Sequence, residues 1–240
     1  GDLMMEIDWS VGRIINALEV NKIIDNTLII FTSDNGPWLN FGNHAGSTGG
    51  LREGKGTSFE GGQRVPTVMM WPNIIPAGNI ANQLTSSIDI LPTISQIVDG
   101  NLPKHKIDGI NIIEILRGEK VNPRKEFYYY YGNNNLEAVR KDNWKLILPH
   151  TLRSYRGVLP NNDGFPGKYN SIKTGLELYN LRRDPGEEYD VINKYPSIAK
   201  ELEELAEKAR SDMGDNLTGR KGTNNRNHGK LWINTFQFYL

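Results

Sequence analysis

An α/β fold followed by a smaller α+β unit is what this 240-residue sequence predicts, on three observations. Near the amino end, apolar residues at three- and four-residue spacing give way to an unbroken run of β-formers, the helix-then-strand order of α/β proteins. A second apolar run, Val65 to Trp71, opens after Gly61-Gly62 and stops at Pro72. Beyond Val121-Asn122-Pro123 the composition shifts to short strand-forming runs separated by polar turns.

Taken in order, Leu3, Ile7, Val11, Ile14 or Ile15, and Leu18 share one face of a helix over Asp2 to Glu19, which is expected to pack on a sheet. Thr27 to Thr32 then reads as a strand buried on both faces of a parallel sheet, and Val65 to Trp71 as another. Asp89 is placed to cap a helix that carries Ile90, Leu91, Ile94, Ile97 and Val98 inward and stops at Gly100, with Pro92 tolerated in its first turn. Phe127 to Tyr131, Leu136 to Arg140 and Trp144 to Leu148 form an antiparallel meander. Leu176 to Leu181 adds a strand, Asp184-Pro185-Gly186 a turn, and a helix starts at Pro196 with Ile198, Leu202, Leu205 and Ala209 on one face and Glu204 and Lys208 as an exposed pair. The expected units are 1–122, part of the larger α/β domain, and 123–213, the smaller α+β subdomain with an antiparallel sheet. Residues 214–240 form a polar tail with an apolar end, expected to dock through that end or to be disordered.

Charge excludes some functions. Lys plus Arg and Asp plus Glu both number 28, a formal net charge of zero, which argues against an extended nucleic-acid or anionic-membrane surface. No run approaches the ~18 apolar residues of a transmembrane helix, so neither nucleic acid nor membrane insertion is expected. With no cysteine, disulfides and thiolate metal sites are excluded.

Chemistry concentrates in Thr32 to Pro66, TSDNGPWLNFGNHAGSTGGLREGKGTSFEGGQRVP. Asp34 and Asn35 follow the carboxyl end of the first strand, where open α/β sheets bind ligands, and an adjacent carboxylate and amide oxygen suit Ca²⁺ or Mg²⁺. Alone, Asp-Asn-Gly favours an ordinary turn whose side chains bond their own backbone. Lys55 stands between Gly54 and Gly56, so an anion can approach both its ammonium and the backbone; an exposed loop lysine is the alternative. His44 is either a proton donor or substrate contact, or a loop histidine bonded to local backbone. Glu60 and Arg64 read as a structural ion pair holding the glycine-rich loop to the next strand. His105, His150 and His228 share no metal-ligand spacing and default to the surface, and the sequon Asn216-Leu217-Thr218 is assigned no function.

Together, the strand-end Asp-Asn and the run GGLREGKGTSFEGGQRVP from Gly49 to Pro66 resemble the sulfatase family, and Asp8 to Asp190 more loosely resembles the carboxyl-terminal half of an arylsulfatase A type enzyme. The resemblance implies an alkaline-phosphatase-like fold. It also implies Ca²⁺ (or Mg²⁺) on Asp34 and Asn35, Lys55 against the sulfate of a sulfate ester, and an exported protein (periplasmic, extracellular or lysosomal). The sequence departs from the family at the nucleophile. Sulfatases make a formylglycine from the first position of C-x-P-x-R or S-x-P-x-R, and none of the twelve prolines here has Cys or Ser two places before it. The family's paired aspartates are missing as well. The expectation is therefore the carboxyl-terminal part of a Ca²⁺-dependent sulfuric ester hydrolase, inactive alone, whose formylglycine lies on the missing amino-terminal half of the same protein. The alternatives are a non-catalytic carbohydrate-binding or structural remnant, and a phosphoryl-transfer relative in the alkaline phosphatase superfamily.

The stretch Pro149 to Gly175 is expected to be one long irregular loop. It carries Arg153, Arg156, Lys168 and Lys173 against only Asp163, interleaved with Tyr155, Phe165 and Tyr169. Forked guanidinium contacts and flat apolar faces suit a sulfated sugar, which makes Arg153 and Arg156 candidate substrate-binding residues and a sulfated carbohydrate the expected substrate; a solvated surface loop is the alternative.

Overall fold

The computed structural model describes residues 1–225. A long helix α1 (Asp2–Val20) leads into β1 (Ile29–Thr32), and after a 34-residue excursion containing the one-turn α2 (Glu60–Gln63) the chain returns as β2 (Thr67–Met70). β1 and β2 pair antiparallel with Ile29 opposite Met70, and Phe31 and Val68 are exposed. This corrects the expected parallel sheet. The excursion brings the chain back beside the strand it left, so direct pairing runs in the opposite sense. α1 is a helix over the expected span, yet none of its residues is buried, and Leu3, Met4, Met5 and Trp9 are all exposed.

A short 3₁₀ turn, Ser87–Asp89, leads into α3 (Ile90–Ile97), followed by α4 (Ile113–Leu116). Asp89 stands at the N-cap of α3, as expected, but its side chain makes no cap bond to that helix. Ser86 is the N-cap of the 3₁₀ turn, and Asp89 reaches back to the Ser86 N–H at 2.8 Å, accepts the Ile110 N–H at 2.9 Å and pairs with Arg124. Buried Asp89 thus ties three segments together, and α3 turns Pro92, Thr93 and Ser95 inward while Leu91, Ile94 and Val98 face out. That orientation is the reverse of the one its apolar spacing predicts.

The second unit is a four-stranded antiparallel sheet in the order β3 (Glu126–Tyr131), β4 (Asn135–Lys141), β5 (Trp144–Ile147), β8 (Glu177–Asn180). One face packs on α5 (Pro196–Met213): Leu136, Val139, Leu146 and Leu178 meet Ala199, Leu202, Leu205, Ala206 and Ala209. α5 buries the face its spacing predicts, and Pro196 at its start loses no hydrogen bond there. The opposite face carries Tyr129, Ala138, Ile147, Tyr179 and Leu181 and receives Phe59 from the long excursion. Phe59 is fully buried, a contribution of about 1.5–3 kcal/mol that fastens the excursion to the sheet.

Between β3 and β4 the register slips, with Tyr129 opposite Ala138 but Tyr130 opposite Leu136. Glu137 is the extra residue, so Leu136 and Ala138 face opposite sides of the sheet. Pro149 to Gly175 is not one irregular loop, because it contains the hairpin β6 (His150–Ser154) and β7 (Asn170–Thr174), paired with Leu152 opposite Ile172. Each strand has a single inward apolar residue, too sparse an alternation to register as a strand. The tail's first residues, Gly214 to Asn225, dock rather than trail: buried Asp215 accepts the Leu136 N–H at 3.2 Å and holds the Arg210 Nε at 2.9 Å. The Asn216 side chain donates to the Asn133 carbonyl. His228 and the apolar end of the tail lie outside the described residues.

Candidate functional site: a glycine loop held between two units

The excursion between β1 and β2 folds back on itself through backbone contacts. Gly36 N–H donates to the Gly62 carbonyl at 2.9 Å, Lys55 N–H to Pro37 at 2.9 Å, and Gly61 N–H to Arg52 at 2.8 Å. These approaches explain the glycines. A Cβ at Gly36 would overlap the Gly61 carbonyl, and one at Gly61 the carbonyls of Arg52 and Glu53. The two halves of the motif thus form one backbone cradle, with Asp34 and Asn35 at its entrance and Lys55 on its rim.

Asp34 is exposed, and its Oδ1 accepts the Asn35 N–H at 2.9 Å. The Asn35 amide donates its Nδ2 to the Gly36 carbonyl at 3.0 Å. No cation pairs with Asp34 among the described residues, so its carboxylate carries an uncompensated charge next to the Asn35 amide in sequence. Hard-oxygen donors of this kind fit Ca²⁺, yet they are a minority of the six to eight oxygens it takes. No cluster of three or more His, Asp or Glu able to hold a metal exists among the described residues.

Lys55 makes no ion pair among the described residues; its Nζ lies 5.1 Å from the Trp38 ring centroid. Arg153 flanks the same loop. Its guanidinium stands 4.3 Å over the Tyr169 ring, and a Cβ at Gly56 would lie 3.4 Å from its Nη1 and 3.3 Å from the Tyr131 hydroxyl. Arg156 pairs with Glu188. His44 is exposed at the end of the 3₁₀ segment Leu39–His44. The Asn40 carbonyl of that segment accepts the Asn161 and Gly167 N–H groups at 3.1 and 2.6 Å, and the Asn40 Nδ2 donates to the Gly167 carbonyl at 2.6 Å. The connection after β6 is therefore docked beside the His44 segment.

Beneath the rim, the sheet grips the loop with buried polar groups. Glu60 pairs with Arg64 at 2.7 Å, as the sequence predicts, but also with Lys145 at 3.1 Å. Fully buried Lys145 lies 2.9 Å from Glu187 Oε1, and Glu187 Oε2 accepts the Glu60 N–H at 2.7 Å. Burial alone would raise the Glu60 carboxyl, but Lys145 and Arg64 outweigh it and hold it at about 2. For Glu187 burial prevails and, with the Glu60 charge nearby, pushes its carboxyl up despite Lys145. Arg52 lies with its guanidinium carbon 3.9 Å from the Phe59 ring centroid and donates to the Tyr179 hydroxyl at 2.8 Å and the Glu187 carbonyl at 3.1 Å.

The bulge places Glu137 under the loop as well. Its Oε2 accepts the Ser58 hydroxyl at 2.7 Å and lies 3.3 Å from His150 Nε2, while His150 Nδ1 stands 2.6 Å from the Leu148 carbonyl. His150 is thus buried rather than a surface residue. Burial lowers its pKa, but the contacts to Glu137 and Leu148 prevail and raise it.

Glu137, Lys145 and Glu187 were not among the sequence candidates. The available signal was Lys145 in the midst of Trp144-Lys-Leu-Ile, a charge on an otherwise apolar strand. Its carboxylate partners stand 85 and 42 residues away, so no local pattern joins them.

An alkaline-phosphatase-like fold with this glycine cradle is the class the structure defines, and comparison with known proteins agrees. The Sulfatase family model matches residues 1–100, and the model described as N-sulphoglucosamine sulphohydrolase, C-terminal, matches 54–212. The chain belongs to the sulfatase family. It is 34% identical to arylsulfatase A of Bos taurus, over 84% of this chain and 40% of that protein. It is 30% identical to N-acetylgalactosamine-6-O-sulfatase of Bacteroides thetaiotaomicron, over 88% of this chain and 42% of that protein. Among solved structures, the PsFucS1 sulfatase from Pseudoalteromonas sp. superposes with a TM-score of 0.72 at 27% identity, covering 86% of this chain and 41% of that one. The chain thus spans about two-fifths of the length of these relatives.

Proposed function

We propose that this chain is the carboxyl-terminal part of a Ca²⁺-dependent sulfuric ester hydrolase acting on a sulfated carbohydrate. The observation that carries the reading is Lys55: an ammonium without a carboxylate partner among the described residues, on a loop whose backbone is fixed from both sides. A cation held so is preorganised to neutralise charge developing on sulfate oxygens as the ester bond breaks. Asp34 and Asn35 are the residues of this chain that would hold the metal, which when bound supplies further positive charge to the sulfate oxygens. The formylglycine nucleophile and the remaining ligands belong, in this reading, to an amino-terminal half outside this sequence. The exposed apolar residues of α1, β2 and α3 support such a companion, since Leu3, Met5, Trp9, Val68, Leu91 and Val98 are left uncovered among the described residues. His44 is the candidate proton donor to the leaving alcohol.

Arg153 over Tyr169, beside Gly56, supports the carbohydrate assignment by pairing a forked cation with a flat ring next to the sulfate position. Arg156, the second candidate, is paired with Glu188. In the full-length enzyme, Lys55→Ala is expected to lower kcat by roughly two orders of magnitude or more with the fold intact. Arg153→Ala is expected to lower kcat/KM on sulfated oligosaccharides more than on a small aryl sulfate. A wild-type kcat in folded, metal-loaded Lys55→Ala overturns the assignment of Lys55, and an equal or absent effect of Arg153→Ala on both substrates overturns the carbohydrate subsite.

A further inference from the structure

Lys55 reaches its position through its own peptide group, which is gripped at both ends. Its N–H donates to the Pro37 carbonyl at 2.9 Å, on the side of the Asp34-Asn35 turn. Its carbonyl accepts the Tyr155 hydroxyl at 2.6 Å, from the residue that follows β6 in the second unit. Tyr155 is itself immobilised. Its ring is nearly buried, and its backbone N–H donates at 2.8 Å to Glu53 Oε2, while Glu53 Oε1 accepts the Ser154 hydroxyl at 2.6 Å.

Glu53 makes this arrangement unusual. It is 4% exposed, has no cationic partner among the described residues, and sits at φ +59°, a left-handed conformation that favours glycine. A buried carboxylate satisfied only by a hydroxyl and an N–H is a poor way to add stability, and the backbone strain detracts further. What the pair does accomplish is geometric, because Glu53 and Lys55 are two residues apart and both are tied to the Ser154-Tyr155 dipeptide.

We propose that Tyr155 is a positioning residue for Lys55, its hydroxyl holding the Lys55 carbonyl so that the second unit sets where the ammonium stands. The inference rests on the proposed role of Lys55 toward the sulfate. Phe at position 155 keeps the ring and removes only the hydroxyl. A catalytic group displaced by a fraction of an ångström to an ångström loses about ten- to a hundredfold in rate.

The experiment is a double-mutant cycle in the full-length enzyme, with kcat and KM measured on one sulfate ester for wild type, Tyr155→Phe, Lys55→Ala and the double variant, and folding checked by thermal melting. Tyr155→Phe is expected to lower kcat about tenfold with KM within about twofold, and to have no further effect once Lys55 is Ala. An unchanged kcat in Tyr155→Phe overturns the proposal, as does an equal fall in both Lys55 backgrounds, which marks Tyr155 as a structural residue only. If Lys55→Ala alone retains wild-type kcat, the role of Lys55 fails and this inference fails with it, whereas a large Lys55 effect with a silent Tyr155→Phe refutes the positioning alone. Should Tyr155→Phe not fold, Ser154→Ala, which removes one of the two donors to Glu53, is carried through the same cycle. It must show the same dependence on Lys55, and a fall independent of Lys55 overturns the proposal.

Discussion

Replacing Lys145 with methionine tests whether the glycine loop is truly clamped by the sheet. Lys145 Nζ lies 3.1 Å from Glu60 and 2.9 Å from Glu187, with all three side chains at most 3% exposed. At an effective dielectric constant of about 20, each contact is an attraction of roughly 5 kcal/mol, most of it offset by the several kcal/mol needed to strip each ion of water. Removing the lysine keeps the desolvation of both carboxylates and deletes the attraction. Glu60 still has Arg64 at 2.7 Å, but Glu187 is left with only the Glu60 N–H at 2.7 Å. The expected destabilisation is therefore that of breaking a buried pair, about 4 kcal/mol, or roughly 8–16 °C in Tm for a unit of this size. Because the stranded Glu187 is the group whose carboxyl already lies above its ordinary value, it takes up a proton first as pH falls. The deficit is full above its folded-state pKa and shrinks below it. Thermal melts of the full-length protein at pH 5 and pH 8 read both effects, and adding Glu187→Gln to Lys145→Met is expected to restore at least about half of the loss. A single-variant loss under about 1 kcal/mol, or a double variant no better than the single, would refute the clamp.

Two further outcomes follow from other groups. Asp34→Ala is expected to weaken Ca²⁺ binding, and the isolated chain to bind Ca²⁺ only weakly because affinity follows ligand number; calorimetry showing tight, stoichiometric binding that survives Asp34→Ala contradicts both. His150 has its pKa raised from an ordinary value of 6.5, so its contribution to stability is complete below that value and is lost as pH rises through the folded-state pKa. Tm is thus expected to fall between pH 6.5 and 8.5 by more in wild type than in His150→Gln, and identical pH profiles would contradict the burial of a charged imidazole against Glu137.

The legible parts of this molecule are those whose partners are near in sequence. The β3–β4–β5 meander, the apolar face of α5 and the Glu60–Arg64 pair are written at spacings of a few residues, and the structure has all three. Errors arise where a distant contact overrules the local pattern. Asp89, satisfied by Ser86, Ile110 and Arg124, fixes α3 with Thr93 and Ser95 inward, and so the apolar spacing that suggests an inward Ile94 points outward. The β6–β7 hairpin escapes notice because only Leu152 and Ile172 turn inward, and His150 reads as a surface residue because its partner Glu137 is created by a bulge that no composition announces. In the site, Asp34, Asn35, His44 and Lys55 stand out by motif, and Arg153 by the company of aromatic rings. Apart from the nearby Pro37 carbonyl, the groups that hold Lys55 and its loop in place are polar residues of strands and turns 79 to 127 positions from the loop residues they bond.

Two lysines show how this chain separates structure from chemistry. Lys145 is enclosed, compensated by two carboxylates and raised in pKa by them after burial has lowered it; its charge is wholly committed to holding Glu60 and Glu187 together. Lys55 has the same side chain on the opposite terms, half-buried, against an indole face and with no carboxylate partner among the described residues. An uncommitted ammonium on a free loop would be a solvated surface charge, with little effect on an anion because water and loop motion both dilute it. The loop is not free, because Phe59, Glu60 and Ser58 are fastened to the sheet and Lys55's own peptide is held by Pro37 and Tyr155. Rigidity at residues 52–62 is therefore supplied by the second unit, and the charge at Lys55 is left uncommitted, as its proposed role toward the sulfate requires. Dissociating the two, by loosening Lys145 or Tyr155 while keeping Lys55, separates a loss of stability from a loss of rate.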